Sequence, residues 1–127
     1  MKRVIETQDA PKPIGPYSQA ITVPSGQLTF LSGQIGIDPL TGALVDGDVA
    51  SQARQVIRNI GAVLAREGLD YGHVVKTTIF LLDMADFAAV NTVYGAVFSD
   101  RSPARSTVAV VGLPLGAKVE IECLAVS

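Results

Sequence analysis

Residues 48–68, "DVASQARQVIRNIGAVLAREG", followed by residues 73–83, "HVVKTTIFLLD", set a helix directly before a strand. In the first stretch Val49, Ala53, Val56, Ile57, Ile60, Val63 and Leu64 recur at the spacing of one helical face. Asp48 is placed to cap the first turn and Gly68 to end the last one. The second stretch is a nearly unbroken β-branched run, which predicts a strand covered on both faces.

Working outward, Phe87, Val90, Tyr94, Val97 and Phe98 mark the apolar side of a second helix that starts near Asp83 or Asp86. Upstream, "QAITVPSGQLTFLSGQIG" reads as two β-rich runs joined by a Pro-Ser-Gly turn, and a short strand at "RVIE" precedes them. Downstream, "RSTVAVV" and "KVEIECLAV" flank the break "GLPLG", so this pair too is expected to form a hairpin. The order is strand, strand, helix, strand, helix, strand, strand, with no repeat and no dividing linker. The alternation puts Arg105, Thr107 and Ala109 on one face of their strand and Glu120 and Glu122 on one face of theirs. A one-residue change in the turn would reverse how those faces relate, so whether Arg105 and Glu120 meet stays open here.

The 127 residues are one domain's worth, 48% of them hydrophobic and only 17% charged, where about 25% charged is usual. That shortage of charge predicts that part of the surface is buried between subunits. Ten Lys and Arg against twelve Asp and Glu give a net charge of −2, with no block of one sign. Sequence-independent nucleic-acid binding is not expected of such a chain. The first twenty residues hold no apolar signal core and no run reaches membrane-spanning length, so neither secretion nor a membrane partner is predicted. One Cys and one His make a dedicated metal site improbable and fit a reducing, cytoplasmic setting. Cys123 reads as a small buried hydrophobe, and His73 as a structural residue.

"IGPYSQA", "LSGQIGIDPLTG", "VVKTTIFLLDMADFAAVNTVY" and "PARSTVAVVGLPLGAKVEIE" together resemble, nearly end to end, the reactive intermediate deaminase family, RidA, formerly YjgF. The resemblance implies an α+β fold similar to chorismate mutase, a six-stranded mostly antiparallel sheet backed by two helices. It implies a homotrimer with sites in clefts between neighbouring chains. It also implies hydrolysis of reactive 2-enamine and 2-imino acids, such as 2-aminoacrylate and 2-aminocrotonate, to 2-oxo acids and ammonia, with no metal or cofactor.

By the same resemblance Arg105 of "PAR" holds the substrate carboxylate and the first glutamate of "EIE", Glu120, lines the site. A guanidinium grips a carboxylate through two parallel bonds, and a carboxylate can orient and deprotonate water, so both residue types suit those duties. Tyr17 of "GPY", Ser32 and Gly33 of "SGQ", and Asn91 carry over as substrate-binding positions. Thr107 stands where many members have cysteine, and Ser102 where many have an aromatic residue. Two other classes of function are weighed: a non-catalytic trimer that binds small carboxylates in the same cleft, and a chaperone-like or RNA-cleaving protein. Loss of the Glu120 carboxylate separates catalyst from receptor, and the acidic balance counts against RNA.

Overall fold

A computed structural model describes residues 2–127. Its first helix, α1 (Val49–Arg66), is set by its ends and its stripe. The Asp48 carboxylate accepts from the Ser51 amide at 3.0 Å and from the Ser51 hydroxyl at 3.1 Å. Past the other end Gly68 takes φ +71°, the left-handed turn that favours glycine there. Val49, Ala53, Val56, Ile57, Ile60 and Leu64 are buried as the spacing predicts. Val63 is 44% exposed and not part of the stripe. Gln52 takes a buried place instead, because its side-chain oxygen accepts from the Lys118 amide at 2.8 Å.

The main sheet has four strands, in the order β3 (Leu28–Gln34), β8 (Val119–Val126), β6 (Val74–Leu81), β7 (Ala104–Ala109). β1 (Arg3–Ile5) pairs with β2 (Ala20–Thr22), and β4 (Ile37–Asp38) with β5 (Ala43–Leu44), as two separate antiparallel ribbons. The expected six strands are therefore corrected to four beside two ribbons, while the sheet is mostly antiparallel as expected, with one parallel pair, β6 and β7. The α+β character stands.

Neither expected hairpin forms. β2 pairs with β1 and β3 with β8, while β6 lies between β7 and β8. The helices are the reason. A strand, a helix and the next strand return the chain to the same end, so β6 and β7, joined through α2 (Phe87–Gly95), run parallel. β8 then inserts antiparallel between β3 and β6, and a turn-forming "GLPLG" cannot override that placement.

The second helix follows a 3₁₀ turn, Met84–Asp86, whose Asp83 carboxylate accepts from the Ala85 amide at 2.9 Å. Both helices cover one face of the sheet. Thr77, Ile79 and Leu81 of β6 point into that core with Val119, Ile121 and Cys123 of β8. Covering on both faces is not seen within one chain: Thr78 and Phe80 on the far side of β6 are only partly buried, and Phe30 on the same face of β3, across β8, is 75% exposed. Among the described residues no helix is long and apolar enough to cross a membrane.

Ile60, fully buried in α1, reports on the core. Ile60→Ala is expected to cost about 2–5 kcal/mol, seen as a lower denaturant midpoint at unchanged slope in urea unfolding.

Candidate functional site

Arg105 is the second residue of β7 and pairs beside Thr77 of β6, so its side chain emerges on the helix-covered face at the sheet's edge. There its Nη1 donates to Asn91 Oδ1 of α2 at 2.8 Å. Three aromatic rings surround the guanidinium carbon, with centroids at 5.1 Å for Tyr94, 5.2 Å for Tyr17 and 5.7 Å for Phe87. The Tyr94 ring is held in turn by a 2.8 Å hydrogen bond between its hydroxyl and that of Thr77, both buried. That burial pushes the Tyr94 phenol up to about 12, so it stays protonated as a neutral wall.

No carboxylate reaches Arg105. Among the described residues no Lys or Arg pairs with a carboxylate, and the one basic side chain beside one is His73, whose Nδ1 lies 3.1 Å from Asp70 Oδ1, far along the chain. Burial pulls the guanidinium's pKa down, with Tyr94 and Tyr17 acting the other way, yet an arginine keeps its charge at any working pH. The result is a half-buried cation with most of its N–H groups unspent. Thr107 stands two residues along on the same face, and its hydroxyl is buried without a hydrogen-bond partner.

Glu120 stands elsewhere. It pairs beside Phe80 on the opposite face of the sheet from Arg105. A bulge at Ser32 and Gly33 of β3, where the register slips between Leu31 and Gln34, carries the backbone against its carboxylate. A Cβ on Gly33 would come within 2.7 Å of Glu120 Cδ and 3.0 Å of its Cγ, so any side chain there would displace the Glu120 carboxylate. Ser32 is exposed beside it.

The site residues thus fall into two groups. Tyr17, Asn91 and Arg105 come together, with Thr107 next along the strand; Ser32, Gly33 and Glu120 come together on the other face. Three residues along β6 (77 to 80) and one strand spacing to either side put the Arg105 and Glu120 Cα atoms roughly 14 Å apart. With side chains on opposite faces as well, one chain cannot apply both to a molecule a few atoms long.

The sequence pattern of the family described as Endoribonuclease L-PSP matches residues 7–127. The chain belongs to this family, also called YjgF/RidA. Among RidA relatives, Protein DfrA of Myxococcus xanthus is 56% identical over 126 residues, covering 99% of this chain and 96% of that one. A human 2-iminobutanoate/2-iminopropanoate deaminase is 46% identical, covering 99% of this chain and 90% of its own. The crystal structure of E. coli TdcF with bound serine is 43% identical, with a TM-score of 0.75 and 98% of each chain covered.

The motif "GPYSQA" also holds residues that sequence reasoning missed and that position the surroundings of Arg105. The Ser18 hydroxyl donates to the Ser102 carbonyl and its amide to the Pro103 carbonyl at 3.1 Å, which pins the segment to the start of β7. Gly15 and Tyr17 are thereby pressed onto the Arg105 guanidinium: a Cβ on Gly15 would lie 3.3 Å from its Nη2. The Gln19 amide binds the preceding loop four times, accepting from the Thr7 amide at 2.7 Å and donating to the Thr7, Ala10 and Pro11 carbonyls. Phe87 and Tyr94 were legible only as core residues, since helical spacing does not separate a cage wall from a packing residue.

Proposed function

We propose that this protein hydrolyses 2-imino acids, and the enamines that tautomerise to them, to 2-oxo acids and ammonia. The observation that carries the reading is the half-buried, aromatic-walled Arg105 with no anionic partner. An unpaired cation in such a place is costly, and a substrate carboxylate is the partner that relieves it. The relatives named 2-iminobutanoate/2-iminopropanoate deaminase support the same substrate class.

In this reading Arg105 holds the carboxylate in two parallel bonds, with Asn91 fixing the guanidinium plane and Thr107 supplying its unpartnered hydroxyl. Tyr17 closes one wall. Water, oriented and deprotonated by Glu120, adds to C2, and the C=N pair moves onto nitrogen. The proton passes from Glu120 to that nitrogen. The remaining hydroxyl proton then passes through Glu120 to the same nitrogen, making it an ammonium group, and the oxygen lone pair forms the carbonyl as the C–N bond breaks, releasing ammonia. The bare backbone of Gly33 leaves room for the Glu120 carboxylate itself, and Ser32 is exposed beside it.

Because the two groups stand on opposite faces, the complete site is assigned to a cleft between copies, in a homotrimer. The open sheet face supports self-association, with Phe30 75%, Leu28 54% and Val108 42% exposed on it. RNA cleavage is not adopted from the family's description, given a net charge of −2 and no basic block.

The test adds purified protein to a threonine dehydratase reaction kept low in free amine and follows 2-oxobutanoate release. Faster release than the spontaneous rate is expected; an unchanged rate rejects the activity.

A further inference from the structure

A cleft of about 430 Å³ opens where β6 begins and β8 ends, and it holds no member of the Arg105 or Glu120 group. Val23, Pro24, Val75 and Val126 form its apolar wall. Its charges are Lys2 and Arg101 of one sign and Asp70 and Asp100 of the other, with His73 beside Asp70. An apolar wall with a few convergent polar groups, in a volume of this order, is how small-molecule sites are built.

The charges are not spent on one another. No ion pair joins Lys2 or Arg101 to either aspartate. The Lys2 ammonium donates to the Val74 carbonyl at 3.0 Å, and Arg101 Nη1 donates to the Lys2 carbonyl at 3.3 Å. Each bond takes a single donor and leaves the others on both cations available. The two cations are near enough that Arg101, after burial, helps pull the Lys2 ammonium's pKa down, while Asp100 and Asp70 act against it. Arg101 also holds φ at +46°, a left-handed conformation that a residue with a Cβ avoids unless its surroundings impose it.

These features select among ligands. A simple carboxylate would find Lys2 and Arg101 but also two aspartates, and a simple amine would find the aspartates but also two cations. A molecule with one charge of each sign and a short apolar chain meets all of them: carboxylate on Lys2 and Arg101, ammonium on Asp100, side chain on the valines.

We propose that this cleft is a second ligand site, distinct from the Arg105 site, which takes a neutral aliphatic α-amino acid as its zwitterion. The proposal does not depend on the deaminase reading. It is tested by amide chemical-shift titration of the full-length chain with L-norvaline, against pentanoate and n-butylamine, which each keep one of its charges. Saturable shifts are expected at Gly72, Val75, Asp100 and Arg101, and they persist in Arg105→Lys. Arg101→Gly keeps the left-handed backbone while removing the guanidinium, and should weaken norvaline about tenfold; Asp100→Asn should act alike, as should either single-charge analogue. Absence of saturable shifts at these amides at millimolar norvaline overturns the proposal. So does equal binding by pentanoate or butylamine, or binding that neither Arg101→Gly nor Asp100→Asn weakens.

Discussion

Arg105→Ala is expected to lower kcat/KM for imine hydrolysis on the order of 10²–10³, the loss that follows when one side of a desolvated charged pair is removed. The same substitution should leave the fold as stable as before. Arg105 makes one side-chain hydrogen bond, to Asn91, and no ion pair, so its cationic head is held half-buried with only that bond and the neighbouring rings as compensation. Relieving that cost offsets the lost contacts with Tyr17, Phe87 and Tyr94. Arg105→Lys should fall between wild type and alanine, because a lysine keeps the charge and lacks the flat fork that binds both carboxylate oxygens. Steady-state kinetics beside urea unfolding read both quantities. Full activity in Arg105→Ala would refute the carboxylate clamp, and a collapse of stability would mean the residue is structural.

The split between what was and was not legible in the sequence follows physical lines. α1 could be read with both ends, since its stripe, the Asp48 cap and the Gly68 turn are all local. The strands at 74–81 and 119–126 were legible for the same reason. Their neighbours were not, because strand order depends on how α1 and α2 return the chain, and turn composition says nothing of that. Tyr17, Asn91 and Arg105 were singled out by motif position, and the fold brings them together from a loop, a helix and an edge strand. The sequence assigns Ser18 no role. Its work is to bind the backbone before Arg105, which no spacing rule announces.

Glu120→Gln tests the other half of the site. The amide keeps the shape that packs on Gly33 and loses the base, so kcat should fall roughly 10²- to 10³-fold with KM little changed. Arg105→Ala, by contrast, should raise KM as well. The decisive form of the experiment mixes the two inactive variants, unfolds them together and refolds them. Arg105 and Glu120 of one chain stand on opposite faces of the sheet, on either side of β6, so neither can lend its partner to the same substrate within a chain. If each site draws Arg105 from one copy and Glu120 from a neighbour, random reassembly of equal amounts should give about a quarter of the sites both native residues. Activity should then return to about a quarter of the wild-type level from two proteins that are each inactive. If both groups had to come from one chain, every site in the mixture would lack one of them and no activity would return. Recovery therefore depends on the feature the sequence left open, the side of the sheet on which each residue stands.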